Sequence, residues 1–320
     1  MIKILVYDTG SFDGVSWWRN TLPLSVLRTQ YATQITFAYS HNPTVSDILQ
    51  ADVVLMFRPT SDNALKIAES IRKFQSQKPV FLLLDLDDDL WSLPHYHFAA
   101  SGYRKHFRRM REIYDMADMV WVSTEQLRYS VGDLGRTVTI PNAVMPGNLP
   151  ANPAPYKGIA CWRGSTAQFT DVTAPFAREW YKNWRSKYER WRFWGYWPNL
   201  EHGANVDFVD YDEVLDFFAS LGSTGANVFW KPLEENAFND AKSSIAWMEA
   251  TMAGGVCVTN YAGKDGWECA LPEFTTDPEL IAETWQKSKY HILQNYNLLE
   301  VNRKRFESIV RLIGGEKEMV

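Results

Sequence analysis

Short apolar runs recur along the chain, and each opens onto a polar turn and then a segment whose apolar positions repeat at helical spacing. IKILVY (2–7), QITFAY (34–39), DVVLMF (52–57), VFLLLD (80–85) and ADMVWVST (117–124) are apolar without alternation, the pattern of strands covered on both faces. Helical periodicity separates them over residues 16–27, 45–50, 63–75 and 103–112. This alternation predicts a doubly wound α/β fold with a parallel sheet. RTVTIPNAV (136–144) closes the series, and the Pro- and Asn-rich PGNLPANPAPYK (146–157) reads as a linker. The pattern restarts with GIACWRGSTAQFTDV (158–172), RFWGYW (192–197), ANVDFVDY (204–211), VFW (228–230) and VCVT (256–259), with a helix expected over 212–220. Residues 278–296 and 298–313 carry helical periodicity. The predicted organisation is an N-terminal Rossmann-like domain over 1–145, a linker over 146–157, a second Rossmann-like domain over 158–290 and a terminal helical segment over 291–320.

Candidate chemistry concentrates in VFWKPLEENAFNDAKSSIAWMEATMAGGVCVT (228–259). Asn236 and Asn239 are suitable helix N-caps; Ala241, Ile245, Met248 and Met252 recur on one face, and Gly254 with Gly255 ends the segment. One helix is expected, with Lys242 in its first turn and Glu249 on the same face, about 10 Å away at 1.5 Å per residue. That span suits a nucleoside diphosphate, the cation near the phosphates and the carboxylate near the ribose. A cation in a first turn opposes the helix dipole unless an anion joins it. The alternative is a solvated lysine and a surface glutamate.

This segment resembles the donor site of GT-B glycosyltransferases of the family-4 type. It is most like their bacterial and phage branch, through Asn239-x-x-Lys242-Ser243 and a Glu249 that precedes Ala-x-x-x-Gly. The resemblance implies a GT-B fold, two Rossmann-like domains facing each other across a cleft. It also implies a sugar moved from a nucleotide-sugar donor such as a UDP- or GDP-sugar, with retention of configuration and no further cofactor or metal. Glu249 would bind the donor ribose, and Lys242 with Ser243 would lie at its phosphates. Many members carry a second glutamate eight residues before the first; this chain has Ala241 there. In DGVSWWRNTLPL (13–24), Gly14 and Arg19 match the family's first loop and would contact the donor, and Asn142 in VTIPNAV would lie at the cleft on the acceptor side.

Asp85, Asp87, Asp88 and Asp89 fall beyond the end of a predicted strand, where α/β sheets bind ligands. With His95 and His97 they are candidates for a metal site, for orienting acceptor hydroxyls or the reaction centre, or for a solvated loop that caps a helix. Similar Asp-Asp-Asp-Leu-Trp segments in the glycosyltransferases favour the second, with Asp88 at the catalytic centre and Asp87 on the acceptor side. Gly164 and Ser165 can offer backbone N–H groups to a phosphate, and Arg163 adds a fixed charge that would complement Lys242. The basic run from Arg104 to Arg111 reads as a solvated helix face or as a contact for an anionic acceptor. The aromatic and basic WYKNWRSKYERWRFWGYW (180–197) superficially suggests nucleic-acid stacking, but a helix followed by a strand explains its spacing.

Composition narrows the class. Hydrophobic content of 46% with 22% charged residues describes a soluble globular chain, and no apolar run approaches a membrane span of roughly 20 residues. Three scattered cysteines without metal spacing fit a reducing, cytoplasmic setting. A net charge of -5 argues against a generic polyanion binder. Expected partners are the nucleotide sugar and a glycan, lipid-linked or nucleic-acid acceptor. Rival readings are a non-catalytic sugar-nucleotide or glycan-binding protein, consistent with Ala241, and a metal-dependent hydrolase built on Asp87, Asp88 and His97.

Overall fold

The computed structural model describes residues 1–7, 14–97, 99–164, 173–195, 206–209, 221–223, 225–264 and 266–314. The first sheet comprises β1 (Ile2–Tyr7), β2 (Ile35–Ser40), β3 (Val53–Phe57), β4 (Phe81–Leu86), β5 (Met119–Val122) and β6 (Thr137–Thr139), in the order β2-β1-β3-β4-β5-β6. The second comprises β7 (Ile159–Gly164), β8 (Arg190–Gly195), β9 (Val206–Val209), β10 (Val228–Trp230) and β11 (Val256–Val258), in the order β11-β10-β7-β8-β9. All described strand pairings within the two sheets are parallel. The unbroken apolar runs have a simple cause. Successive side chains point to opposite faces, and both faces are covered. Leu5, Val54, Met56, Leu82 and Leu84 enter one core, while Ile4, Val6, Val53, Leu55 and Leu83 enter another on the opposite face.

Helix Pro278–Asn295 lies against the second sheet, burying Ile281 and Trp285 among Trp162, Trp191 and Trp230. Helix Leu298–Gly314 then returns to the first sheet and buries Leu298, Val301 and Ile309 with Ile4, Val6 and Leu24. Asn302 donates to the Pro23 carbonyl at 2.9 Å, and the Trp121 indole donates to Ser308 at 2.9 Å. The crossing is stitched at Val144, whose N–H donates to the Tyr296 carbonyl and whose carbonyl accepts from Leu298. Gly254, at a φ of 82°, ends the helix before β11, and a side chain there would meet the Ala154 backbone nitrogen at 2.7 Å.

Two expected helices differ. The basic helix over 103–112 is two helices, Ala100–Arg104 and Phe107–Asp115, with the break at Lys105 and His106. Arg104 and Arg108 therefore do not share a continuous face. Arg109 turns inward to the Thr60 carbonyl at 2.8 Å, while Arg108 pairs with Glu112 and Arg111 with Asp115. The helix expected over 212–220 lies outside the described residues. The aromatic stretch resolves into core: Tyr181, Trp191 and Phe193 are buried, with Tyr181 edge-on to Trp191 at 5.0 Å. Among the described residues no helix is long and apolar enough to cross a membrane.

Candidate functional site

The single helix expected to carry Lys242 and Glu249 is interrupted. Helix Ala237–Asp240 is capped by Asn236, whose side chain accepts from the Asn239 N–H at 2.9 Å, and a new helix begins only at Ile245 and runs to Met252. In a continuous helix the Ala241 carbonyl would accept from the N–H four residues on. Here it accepts instead from the Thr124 hydroxyl, at 2.8 Å, and Thr124 follows β5 of the first sheet. A tertiary contact thus takes the hydrogen bond that would have carried the helix through. Ala241 is buried within the core of the first sheet. Lys242, Ser243 and Ser244 stand in the break rather than on a helix face, which corrects the one-face geometry.

Lys242 reaches the first sheet's end. Its ammonium lies 3.5 Å from Asp88 and 4.7 Å from the centre of the Phe238 ring. Asp88 and Asp87 both accept from Arg58, which follows β3 in a left-handed conformation with a φ of 41°. A non-glycine residue held there is strained, and such strain clusters at functional sites. Burial works against the Asp88 carboxylate, but Lys242 and Arg58 outweigh it and hold its pKa below the usual range. Burial pushes Asp87 the other way, up to about 6, against the pull of Arg58. Burial and the Lys242 charge keep the His97 imidazole below its ordinary pKa.

Asp85 is engaged differently. It pairs with Arg19, which is 1% exposed and sits where the helix after β1 widens over Trp17–Thr21. Arg19 also donates to the Ile140 carbonyl at 2.6 Å and to the Asn142 side chain at 3.5 Å. Asp89 accepts from the Ser92 N–H at 3.2 Å and from the Ser130 hydroxyl. The four aspartates therefore divide among three sets of partners, with Arg58 shared by Asp87 and Asp88, and no group of three His, Cys, Asp or Glu side chains converges among the described residues.

Several contacts join the sheets across the cleft. Asn142, after β6, donates to the Ser243 hydroxyl at 2.8 Å, and Tyr96 donates to Glu234. Glu249 is 1% exposed and accepts from the Trp18 indole at 3.3 Å, so it faces the first sheet from a buried position. Asn239 donates to the Glu234 carbonyl at 2.9 Å and so holds the loop's shape. Lys242 lines two cavities. One of about 40 Å³ includes Tyr96, His97 and Glu234; the other, of about 270 Å³, includes Thr124, Asn142, Ser243, Ser244 and Lys304.

The remaining candidates are placed only in part. Gly14 begins the helix after β1, and a side chain there would meet nothing within 4 Å. Arg163 and Gly164 end β7, in register with Trp194 and Gly195, while the Arg163 side chain and Ser165 lie outside the described residues. His95 is exposed. Arg58 was missed by sequence reasoning, although an Arg-Pro pair just past an apolar strand marks the end where ligands bind. Thr124 and Trp18 carried no local signal.

Comparison with known proteins defines the fold. No protein-family model matches the sequence, and no curated protein does. Solved structures do. TarM of S. aureus, solved as a point mutant with fondaparinux, alpha-GlcNAc-glycerol and UDP, matches at a TM-score of 0.54 and 15% identity, over 82% of this chain and 55% of TarM. The chain thus spans about half the length of TarM. An alpha-glucosyltransferase solved with UDP and a 13-mer DNA containing an HMU base matches at 0.55 and 10% identity, over 97% of this chain and 95% of that one. A Listeria monocytogenes protein assigned as a UDP-N-acetylglucosamine 2-epimerase matches at 0.52 and 10% identity, over 99% and 98%. The fold is GT-B, two Rossmann-like domains facing each other across a cleft.

Proposed function

We propose that this chain is a glycosyltransferase that moves a sugar from a UDP- or GDP-sugar to an acceptor hydroxyl, of the family-4 retaining type. The observation that carries the reading is the break at residues 241–244. It lifts Lys242, Ser243 and Ser244 out of the helix and presents them at the cleft, opposite Thr124 and Asn142 of the other domain. The solved relatives add support, because UDP or a UDP-sugar is named for each of the three. The acceptor class remains a glycan, a lipid-linked sugar or a nucleic acid.

The chemistry follows from charge. As the bond to the sugar breaks, negative charge develops on the leaving diphosphate, and groups already aimed at it lower the barrier. Lys242 supplies a cation, while Ser243, Ser244 and the start of helix Ile245–Met252 supply donors. Arg163, Gly164 and Ser165 are proposed to close on the same diphosphate from β7. Glu249 is proposed to hold the ribose, exchanging its Trp18 contact for the sugar hydroxyls. Asp88 orients Lys242 and lies beside the reacting carbon; Asp87 positions the acceptor hydroxyl through Arg58. Gly14, Arg19, Asn142 and Asn239 hold these groups in register. No metal or cofactor is required by this scheme, so turnover should persist in excess chelator.

The test is turnover of a panel of UDP- and GDP-sugars by the purified protein, with products followed by proton NMR. Glycosyl transfer or donor hydrolysis with an α-configured product supports the reading. Release of free epimerised N-acetyl sugar places the chain with the epimerase of the same fold. Tight nucleotide-sugar binding without any turnover makes it a binding protein.

A further inference from the structure

Among the described residues, one cation at the cleft has no protein group to balance it. Lys304 is exposed on helix Leu298–Gly314 and lines the cavity of about 270 Å³ together with Lys242 and Ser243. The other charges around that cavity are matched: Lys242 lies 3.5 Å from Asp88, and Glu125 lies 3.5 Å from Arg128. Lys304 has neither ion pair nor hydrogen bond among the described residues. Its position is not incidental to the helix. Val301, Arg305 and Ser308 are buried against the first domain, and this register fixes Lys304 on the flank that borders the cleft.

The cavity's polar groups point to the same kind of occupant. Ser243 accepts from Asn142 at 2.8 Å, so its own hydroxyl proton is left to donate. The Thr139 hydroxyl, on the same wall, is buried without a partner among the described residues, and Ser244 makes no side-chain cap on the helix it precedes. Buried donors left unmade are costly, and a cation among them favours an anion with several acceptor oxygens. We propose that Lys304 is a second phosphate-binding cation, so that the donor's diphosphate lies in this cavity between Lys242 and Lys304. This rests on the nucleotide-sugar reading above and assigns the terminal helix a positioning role in the donor site.

The experiment titrates UDP and, separately, inorganic pyrophosphate into the intact protein and into Lys304→Ala, Lys304→Glu and Lys304→Arg by calorimetry at low salt. Losing one charged hydrogen-bond donor should weaken both ligands about tenfold in the alanine variant, and Lys304→Glu more. Lys304→Arg should restore most of the affinity, and all three should melt with the wild type because the side chain is exposed. UDP affinity unchanged in Lys304→Ala and Lys304→Glu, with the wild type binding UDP, overturns the assignment. Pyrophosphate binding that depends on Lys304 without any nucleotide binding keeps the anion seat and removes the nucleotide reading. Absence of binding of either probe to the wild type overturns both.

Discussion

Arg19–Asp85 and Arg58–Asp87–Asp88 stand side by side at the carboxyl end of β4, yet one is sealed and the other is open to the cleft. The side chains of the first pair are 0% and 4% exposed; in the second group Arg58 and Asp88 are 17% and 16% exposed, and only Asp87, at 5%, is buried like Asp85. Arg19 fills its remaining donors with the Ile140 carbonyl and Asn142, all within the first domain. The open group is completed by Lys242, which comes from the other domain. A buried pair satisfied from within its own domain is a brace between the helix after β1, the end of β4 and the segment after β6. A half-open group completed across a cleft can be exchanged, and the proposed function has a phosphate replace Asp88 on Lys242. Similar residue types beyond the end of one strand therefore do different work, and the partner decides which.

The largest effect should come from breaking the sealed pair. Arg19→Ala leaves Asp85 buried without its cation and should cost about 3 to 5 kcal/mol of stability by urea denaturation. Arg58→Ala should cost less, about 1 to 2 kcal/mol, because Lys242 still faces Asp88 and the buried Asp87 can take up a proton at its raised pKa. Equal losses would erase the distinction between the two groups. Lys242→Ala should leave stability within about 1 kcal/mol of the wild type. It should raise the transition-state barrier of donor turnover by about 3 to 4 kcal/mol, read as kcat.

Glu249→Ala should weaken donor binding by about 1.5 to 3 kcal/mol, more in KM than in kcat. Glu249→Gln should be milder, since it keeps an acceptor for the ribose. The smallest effect is in pH. Asp87 has its folded pKa raised to about 6, above the unfolded value, so its contribution is present at low pH and fades as pH rises through about 6. Lowering pH from 7 to 5 should therefore add about 1 kcal/mol through Asp87, and Asp87→Asn should remove that slope. Asp88, with its folded pKa depressed, acts oppositely, but only as pH falls below the unfolded carboxylate range near 4.

Most of the strand pattern was legible because sheets covered on both faces leave continuous apolar runs, as in 52–57 and 80–85. The Lys242 helix was not, because its interruption is set by Thr124, 117 residues away, rather than by local propensity. The aspartates at the end of β4 and just past it form one run in sequence; what separates them is Arg19 on one side and Arg58 on the other, neither adjacent in sequence. Arg58's left-handed backbone has no sequence signature, since the residue is not glycine. Lys304 carried no local signal, and only the return of the terminal helix to the first domain puts it at the cleft.

The most direct test of the account is a calorimetric titration of UDP into the wild type and Lys242→Ala, repeated at low and high salt. Exchange of Asp88 for phosphate on Lys242 predicts measurable wild-type binding that weakens with salt. It predicts an alanine variant about tenfold weaker and less sensitive to salt. Wild-type UDP affinity retained in full by Lys242→Ala, with the same salt dependence, would contradict it.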